Sequence, residues 1–162
     1  MISTLLAEQP WLTRVGTLLI IVVSPFIAAW LRGRPRVAAV LAAVLFGLVA
    51  VATLYPTRRI IAQACEIAFD PSDLLRIEPL ANIVLFLLPV LALAAATGRP
   101  LLAFVVGVGG SAFIELLQGA IPAIGRSCTV TDWAANVVGA ALGAALAALG
   151  LLLARRRRRD FS

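Results

Sequence analysis

Residues 133–159 read WAANVVGAALGAALAALGLLLARRRRR, an apolar run that ends in five consecutive arginines. An α-helix needs about 20 mostly apolar residues to cross the hydrocarbon core of a bilayer, and residues 133–154 provide them. The arginines Arg155–Arg159 are typical of a helix end that stays on the cytoplasmic side. This stretch therefore predicts a transmembrane helix and its orientation.

Four more stretches meet the same criterion, near residues 12–31, 37–55, 80–97 and 100–121. Of the 162 residues, 62% are hydrophobic and 14% are charged, whereas soluble domains have about half and about a quarter. This composition excludes a soluble fold, a disulfide-rich secreted module and a disordered chain. The first stretch follows no basic segment, so we expect it to be a retained span and not a signal peptide. The predicted fold class is a single all-α domain over residues 1–162, a bundle of five transmembrane helices.

The 14 basic residues, all arginine, set the predicted orientation of this bundle. Five spans place nine arginines on the side of the C-terminus and five on the side of the N-terminus. The positive-inside rule then predicts that the N-terminus lies outside and the C-terminus inside. Trp11, Tyr55 and Trp133 at predicted outer ends, and Trp30 at an inner end, agree with these boundaries.

Two predicted loops face outward, Pro56–Pro79 and Pro122–Thr131. Residues 59–69 of the longer loop are predicted to form a short interfacial helix that ends before Pro71. Each loop carries one of the two cysteines, Cys65 and Cys128. Both would lie in the oxidising compartment with no other cysteine to pair with, which favours a disulfide over two unrelated thiols.

Polar residues follow one face of each of the last two spans. Such groups in a membrane normally face the bundle interior and often mark function. The fourth span carries Gly107, Ser111, Glu115 and Gln118, and the fifth carries Asp132, Asn136, Gly139 and Gly143. Because small residues let helices approach closely, we expect these two stripes to pack against each other. That packing would gather the polar groups at the outer face.

Asn82, at the outer end of the third span, and Arg126, in the short loop, would complete this cluster, with Arg126 as the counter-charge. Other interpretations stay open. Asp132 or Thr131 could stabilise the start of the fifth helix, and Gln118 and Asn136 could hydrogen-bond between helices. Arg126 could pair with Glu115 for structure alone. The chain contains no histidine, and we expect no metal site, no cofactor and no nucleic-acid partner.

The spacing of these residues resembles the VanZ-like family of small bacterial membrane proteins. The resemblance covers about residues 54–143 and is carried by the patterns Leu54-Tyr55-Pro56, Asn82-x-x-x-Phe86-x-x-Pro89, Glu115-x-x-Gln118 and Arg126-x5-Asp132-x-x-x-Asn136-x-x-Gly139-x-x-x-Gly143. The family often has acidic residues at the positions of Thr129 and Thr131 and a glycine at that of Leu91. The resemblance implies a multi-pass protein of the bacterial plasma membrane with a role in the cell envelope. The founding member is associated with resistance to the glycopeptide teicoplanin.

Two functional classes fit these residues. In the first, a non-enzymatic protein binds an amphiphile, such as a lipid-linked wall precursor or a lipoglycopeptide, through the six residues Asn82, Glu115, Gln118, Arg126, Asp132 and Asn136, with membrane lipids as its surroundings. In the second, a membrane hydrolase or group transferase uses Glu115 or Asp132 as its general acid or base. We favour the first, because the cluster lacks His, Cys and Lys and the only base near Ser111 is Glu115. A transport subunit is a weaker alternative, because polar groups at one end make no path across.

Overall fold

The computed structural model describes residues 10–57, 67–125 and 129–159, which form five long α-helices and two short 3-10 helices. The long helices are α1 (Pro10–Arg32), α2 (Pro35–Leu54), α3 (Ile77–Thr97), α4 (Pro100–Ala120) and α5 (Val130–Arg159), and the 3-10 helices are Pro71–Leu75 and Pro122–Ile124. All five long helices are long and apolar enough to cross a membrane, and the described ranges contain no β-strand. The predicted five-helix membrane bundle is confirmed.

Local sequence explains where several of these helices begin and end. Pro35 and Pro100 occupy the first helical positions of α2 and α4, where the missing N–H has no intrahelical partner to lose. Gly98 ends α3 in the left-handed conformation, with φ of 70°. The main departure from the predicted boundaries is α5, which continues as helix through the arginine run.

The helix α3 lies at the centre of the bundle and contacts each of the other four. Its buried side chains include Phe86, Leu87 and Val90, and much of the surrounding core is alanine. Lipid tails are as apolar as leucine, so helices in a membrane associate mainly through close van der Waals packing. Small residues on the neighbouring helices allow these helices to pack closely around α3.

The closest packing joins the glycine stripe of α5 to the backbone of α3. A Cβ atom on Gly139 would collide with the carbonyl oxygen of Ile83, and one on Gly143 would collide with that of Leu87. The expectation that this stripe packs against the stripe of α4 is therefore wrong. Periodicity shows which face of a helix carries small residues, but it does not show which neighbouring helix packs against that face. Here that neighbour is the central helix α3.

The α4 stripe also faces this central helix. Gly107 lies against Val90 of α3 and Ala140 of α5, and Ser111 is fully buried one turn further along. Both stripes thus converge on the space that α3 shares with α4 and α5.

The two ends of the bundle differ in charge. We call the end with Asn82, Glu115 and Asp132 the site end, and the opposite end, where Arg32 and Arg155 lie, the arginine end. All five carboxylates of the described ranges lie toward the site end: Asp70, Asp73, Glu78, Glu115 and Asp132. The arginine end carries Arg32, Arg34, Arg36, Arg99, Arg155 and Arg156 together with the rest of the C-terminal run.

The predicted interfacial helix before α3 can be compared with the structure only at its last three residues. Residues 58–66, most of the predicted interfacial helix, lie outside the described residues, and Ile67–Phe69 are not helical. They are followed by Asp70, whose extended backbone begins the 3-10 helix Pro71–Leu75 and whose carboxylate accepts a hydrogen bond from the Ser72 N–H (2.8 Å). That N–H holds the pKa of the Asp70 carboxyl below its ordinary value.

The asymmetry of arginines predicts which end faces the cytoplasm. A reporter that is active only in the cytoplasm, fused after Ser162, should give full signal, because the nine arginines resist translocation. The same reporter fused after Gly125, at the site end, should give none. The reverse pattern of activity would overturn the orientation.

Candidate functional site

Thr129 connects the two helices that carry the candidate carboxylates. Its hydroxyl accepts a hydrogen bond from the N–H of Asp132 (3.0 Å), and its own N–H donates to Oε2 of Glu115 (3.3 Å). The first contact caps α5, and a threonine followed three residues later by an acidic residue is typical of such a start. The alternative interpretation of the sequence assigned the start of this helix to Asp132 or Thr131. The structure gives it to Thr129, while the Thr131 hydroxyl is 3.5 Å from the carbonyl oxygen of Ala68.

Asn82 connects α3 to the contacts that Thr129 makes between α4 and α5. Its Nδ2 donates to Oδ1 of Asp132 (2.8 Å), so that the second turn of α3 is joined to the first turn of α5. Glu115 is only 9% exposed, whereas Asn82 and Asp132 are half-buried. Asn82, Glu115 and Asp132 therefore meet around Thr129, which makes a polar cluster of three helices.

Gln118 points elsewhere. Its Nε2 donates to the carbonyl oxygen of Thr53 in the last turn of α2 (2.9 Å), and the residue is buried. Next to it, the N–H of Thr57 donates to the carbonyl oxygen of Ile124 (3.0 Å). These contacts tie the end of α2 to the end of α4. The hydrogen bond of Gln118 thus joins two helices. This agrees with the alternative interpretation, in which Gln118 holds helices together and does not bind a ligand.

Two buried polar atoms lie deeper in the bundle. The helices α4 and α5 are antiparallel, and Gly107 is level with Ala140. Four-residue steps of about 6 Å then place Ser111 level with Asn136 and Glu115 level with Asp132. Ser111 Oγ and Asn136 Oδ1 have no hydrogen-bond partner within the described ranges. Since Ser111 is not hydrogen-bonded to Glu115, the pair that would activate a serine nucleophile is not formed.

A polar cavity of about 970 Å³ opens at the site end, beside Asp132. Arg14 of α1 and Arg76 line it, and Arg76 pairs with Asp73 (2.9 Å). Arg14 has no carboxylate within 4.0 Å among the residues that the structure describes. Sequence reasoning used Arg14 only for orientation, because nothing in its neighbourhood indicates which helices it faces. The other lining residues are Ala68, Phe69, Asp70, Ser72, Asp73, Ile77, Glu78, Pro79, Leu80, Thr129, Thr131 and Asp132.

An apolar crevice of about 280 Å³ lies on the other side of Thr129, between α4 and α5. Its lining residues are Ala112, Glu115, Leu116, Thr129, Val130 and Trp133. Leu116 is 71% exposed and Trp133 is 39% exposed, so the crevice opens sideways, toward the lipid. Thr129 therefore forms part of the wall between a polar cavity and an apolar crevice, with Asp132 on one side and Glu115 on the other.

Three predicted residues, Arg126, Cys65 and Cys128, lie outside the described residues, so the counter-charge and the disulfide stay predictions. Non-reducing peptide mapping of protein prepared without reductant should find Cys65 linked to Cys128, because each lies in a different loop that is predicted to face outward. Free thiols at both positions would contradict it. The link would limit how far the two loops can separate above the polar cluster.

No metal centre is formed by the described residues, which contain no group of three His, Cys, Asp or Glu side chains placed to hold an ion. The described site offers hydrogen-bonding groups, the carboxylates of Glu115 and Asp132, and the guanidinium groups of Arg14 and Arg76. A planar guanidinium binds carboxylates and phosphates well through paired N–H groups.

Comparison with known proteins agrees with the resemblance. The chain matches the VanZ/LLP1 family over residues 17–153, and no curated protein or solved structure matches it significantly. The match extends beyond the 54–143 region predicted from motifs, and it includes every site residue that the sequence predicts, although it begins after Arg14. Because the match covers most of the chain, which forms five apolar helices, this protein belongs to the VanZ/LLP1 family.

Proposed function

We propose that this chain is a non-enzymatic envelope protein of the bacterial plasma membrane that binds an amphiphile from the outer leaflet at its site end. The observation that carries the proposal is the shared wall at Thr129, which lines both the polar cavity and the apolar crevice. An amphiphile needs such a pair of environments, because its head group requires polar partners and its chain requires an apolar surface. The crevice opens sideways, as entry from a membrane requires.

The polar residues suit a head group with phosphate or carboxylate. Arg14 lines the cavity without a carboxylate partner among the described residues, and Arg126 follows α4 in the sequence. Asn82, Asp132 and Asn136 would provide hydrogen-bonding groups for sugar hydroxyls or amides. A lipid-linked wall precursor and a lipoglycopeptide antibiotic both combine these chemical groups. Binding either would connect the protein to glycopeptide or lipoglycopeptide resistance.

An enzyme remains the second candidate, because Glu115 and Asp132 are both held through Thr129. Two carboxylates in different surroundings can act as general acid and general base on an outer-leaflet envelope lipid. The absence of a hydrogen bond between Ser111 and Glu115 in the described structure favours binding over covalent catalysis.

Mass spectrometry of co-purified lipids tests the proposal. Wild-type protein extracted in mild detergent should carry one amphiphile class enriched over bulk phospholipid, and Arg126→Ala and Glu115→Gln should lose that enrichment. Thr97→Ala, at the exposed arginine end of α3, is the matched control and should retain it. Identical lipid profiles in all four proteins would contradict binding at this site. Turnover of a purified lipid-linked precursor by the wild type would instead support the enzyme.

A further inference from the structure

A second cavity, of about 420 Å³, lies at the arginine end of the bundle. It is lined by residues from the α1–α2 turn, the end of α3 and the last turns of α5, among them Arg32, Gly33, Pro35, Gly98, Leu151 and Arg155. Two guanidinium groups from different helices therefore face one space. The cavity is far from Asn82, Glu115 and Asp132, because it lies at the opposite end of the same helices.

The guanidinium of Arg32 is held in place by the end of α3. Its Nη1 lies 3.4 Å from the carbonyl oxygen of Ala95 and 3.5 Å from that of Ala96, where the helix dipole favours a cation. A Cβ on Gly98 would lie 3.1 Å from the guanidinium, so the absence of a side chain at this position leaves space for Arg32. A guanidinium has five N–H donors, and only those on Nη1 have partners among the described residues.

This end of the protein has no negative charge of its own within the described ranges. All five described carboxylates lie toward the site end, where Asp73 pairs with Arg76. Arg34 stacks over the ring of Trp30, with its Cζ 4.2 Å from the ring centroid, and does not line the cavity. Within the described residues, Arg32 and Arg155 therefore have no carboxylate partner, and the cavity between them offers two cations to an external anion.

The position of the cavity indicates which anion this is. The ends of the membrane-crossing helices lie at the level of lipid head groups, and basic pockets between such helices bind anionic head groups. Leu152 of α5 directly follows the lining residue Leu151, and its exposed side chain offers an apolar surface to acyl chains. A phospholipid can satisfy both the cations and this surface, whereas free phosphate can satisfy the cations alone.

We propose that the cavity between Arg32 and Arg155 binds the phosphate of an anionic phospholipid, whose acyl chains lie along the exposed Leu152 of α5. The site fixes a lipid at the arginine end and is independent of the ligand at the site end.

Native mass spectrometry of the full chain tests this site. The detergent-solubilised protein is mixed with phosphatidylglycerol or with phosphatidylcholine of the same acyl chains, and retained lipid is counted. Phosphatidylglycerol should be retained in preference, and Arg32→Gln and Arg155→Gln should each lower its affinity about fivefold. Arg34→Gln removes the same charge outside the cavity and should leave the affinity unchanged.

The outcomes separate the alternatives. Equal retention of the two lipids, or an equal loss in Arg34→Gln, would overturn the proposal and leave only general attraction to charge. Displacement of phosphatidylglycerol by millimolar inorganic phosphate would assign the site to free phosphate and also overturn it. Arg155 is exposed near the end of α5, so Arg155→Gln keeps the test valid if Arg32→Gln fails to fold.

Discussion

Gly139→Leu should prevent the protein from forming a stable bundle. A Cβ at this position already meets the backbone of α3, since it would lie 2.9 Å from the carbonyl carbon of Ile83. Backbone atoms at the centre of a bundle cannot move aside as a flexible side chain can, so α3 and α5 must separate. Overpacking typically costs about 1–3 kcal/mol, and a whole leucine side chain at a backbone contact should reach or exceed the upper value.

The measurement is thermal stability in detergent, read as the fraction of monodisperse protein after heating. Gly139→Ala should already lower the midpoint, because the collision arises at the first side-chain carbon. Gly109→Ala and Gly109→Leu are the controls, since a Cβ at Gly109 meets no atom within 4 Å. Gly109→Ala should be neutral or stabilising, because alanine favours a helix over glycine by up to about 1 kcal/mol. Equal midpoints for the Gly139 and Gly109 variants would contradict the packing of α5 on α3.

Neutralising Arg126 and Glu115 should give losses of stability that do not add. If Glu115, Arg126 and Asp132 form one site, Arg126→Ala leaves two carboxylates close together in a medium of low dielectric constant, where they repel. Adding Glu115→Gln relieves this repulsion, so the double variant should lose less than the two single losses combined. Neighbouring sites commonly couple by about 0.5–3 kcal/mol, which thermal unfolding in detergent can resolve.

The same variants should affect function. Arg126→Ala should abolish an envelope or antibiotic-resistance phenotype while the protein still inserts and accumulates. Arg34→Gln offers a comparison, because it removes a charge at the arginine end, where Arg34 stacks over Trp30 and lines neither the polar cavity nor the crevice. Strictly additive losses together with full activity of Arg126→Ala would show that the polar residues serve helix packing and capping.

The sequence predicts the five helices well because length and hydropathy alone determine which segments can cross a membrane. It also identifies Asn82, Glu115 and Asp132, which do meet, since polar groups in apolar spans are few. It is harder to predict from the sequence which helix or group each of these residues contacts. Gly139 shows a small face but does not reveal that the face meets α3, and Gln118 binds a backbone carbonyl, which no side-chain pattern encodes.

Thr129 was noted only as a departure from the family pattern. Its capping role follows from the Thr-x-x-Asp spacing, but its N–H contact with Glu115 depends on how α4 lies against α5. The position of Arg14 in the polar cavity could not be predicted either, because it depends on how α1 packs in the bundle. Contacts that depend on tertiary arrangement are therefore the part of the site that sequence periodicity cannot supply.

Site-specific photocrosslinking in living cells tests amphiphile binding most directly. A photoreactive benzoylphenylalanine at Leu116 lies in the lining of the crevice, and one at Phe113, on the same helix and 61% exposed, lies outside it. We expect position 116 to capture one envelope amphiphile, identified by mass spectrometry, and position 113 to capture the bulk membrane lipids. Capture of the same lipid mixture at both positions would contradict amphiphile binding in the crevice.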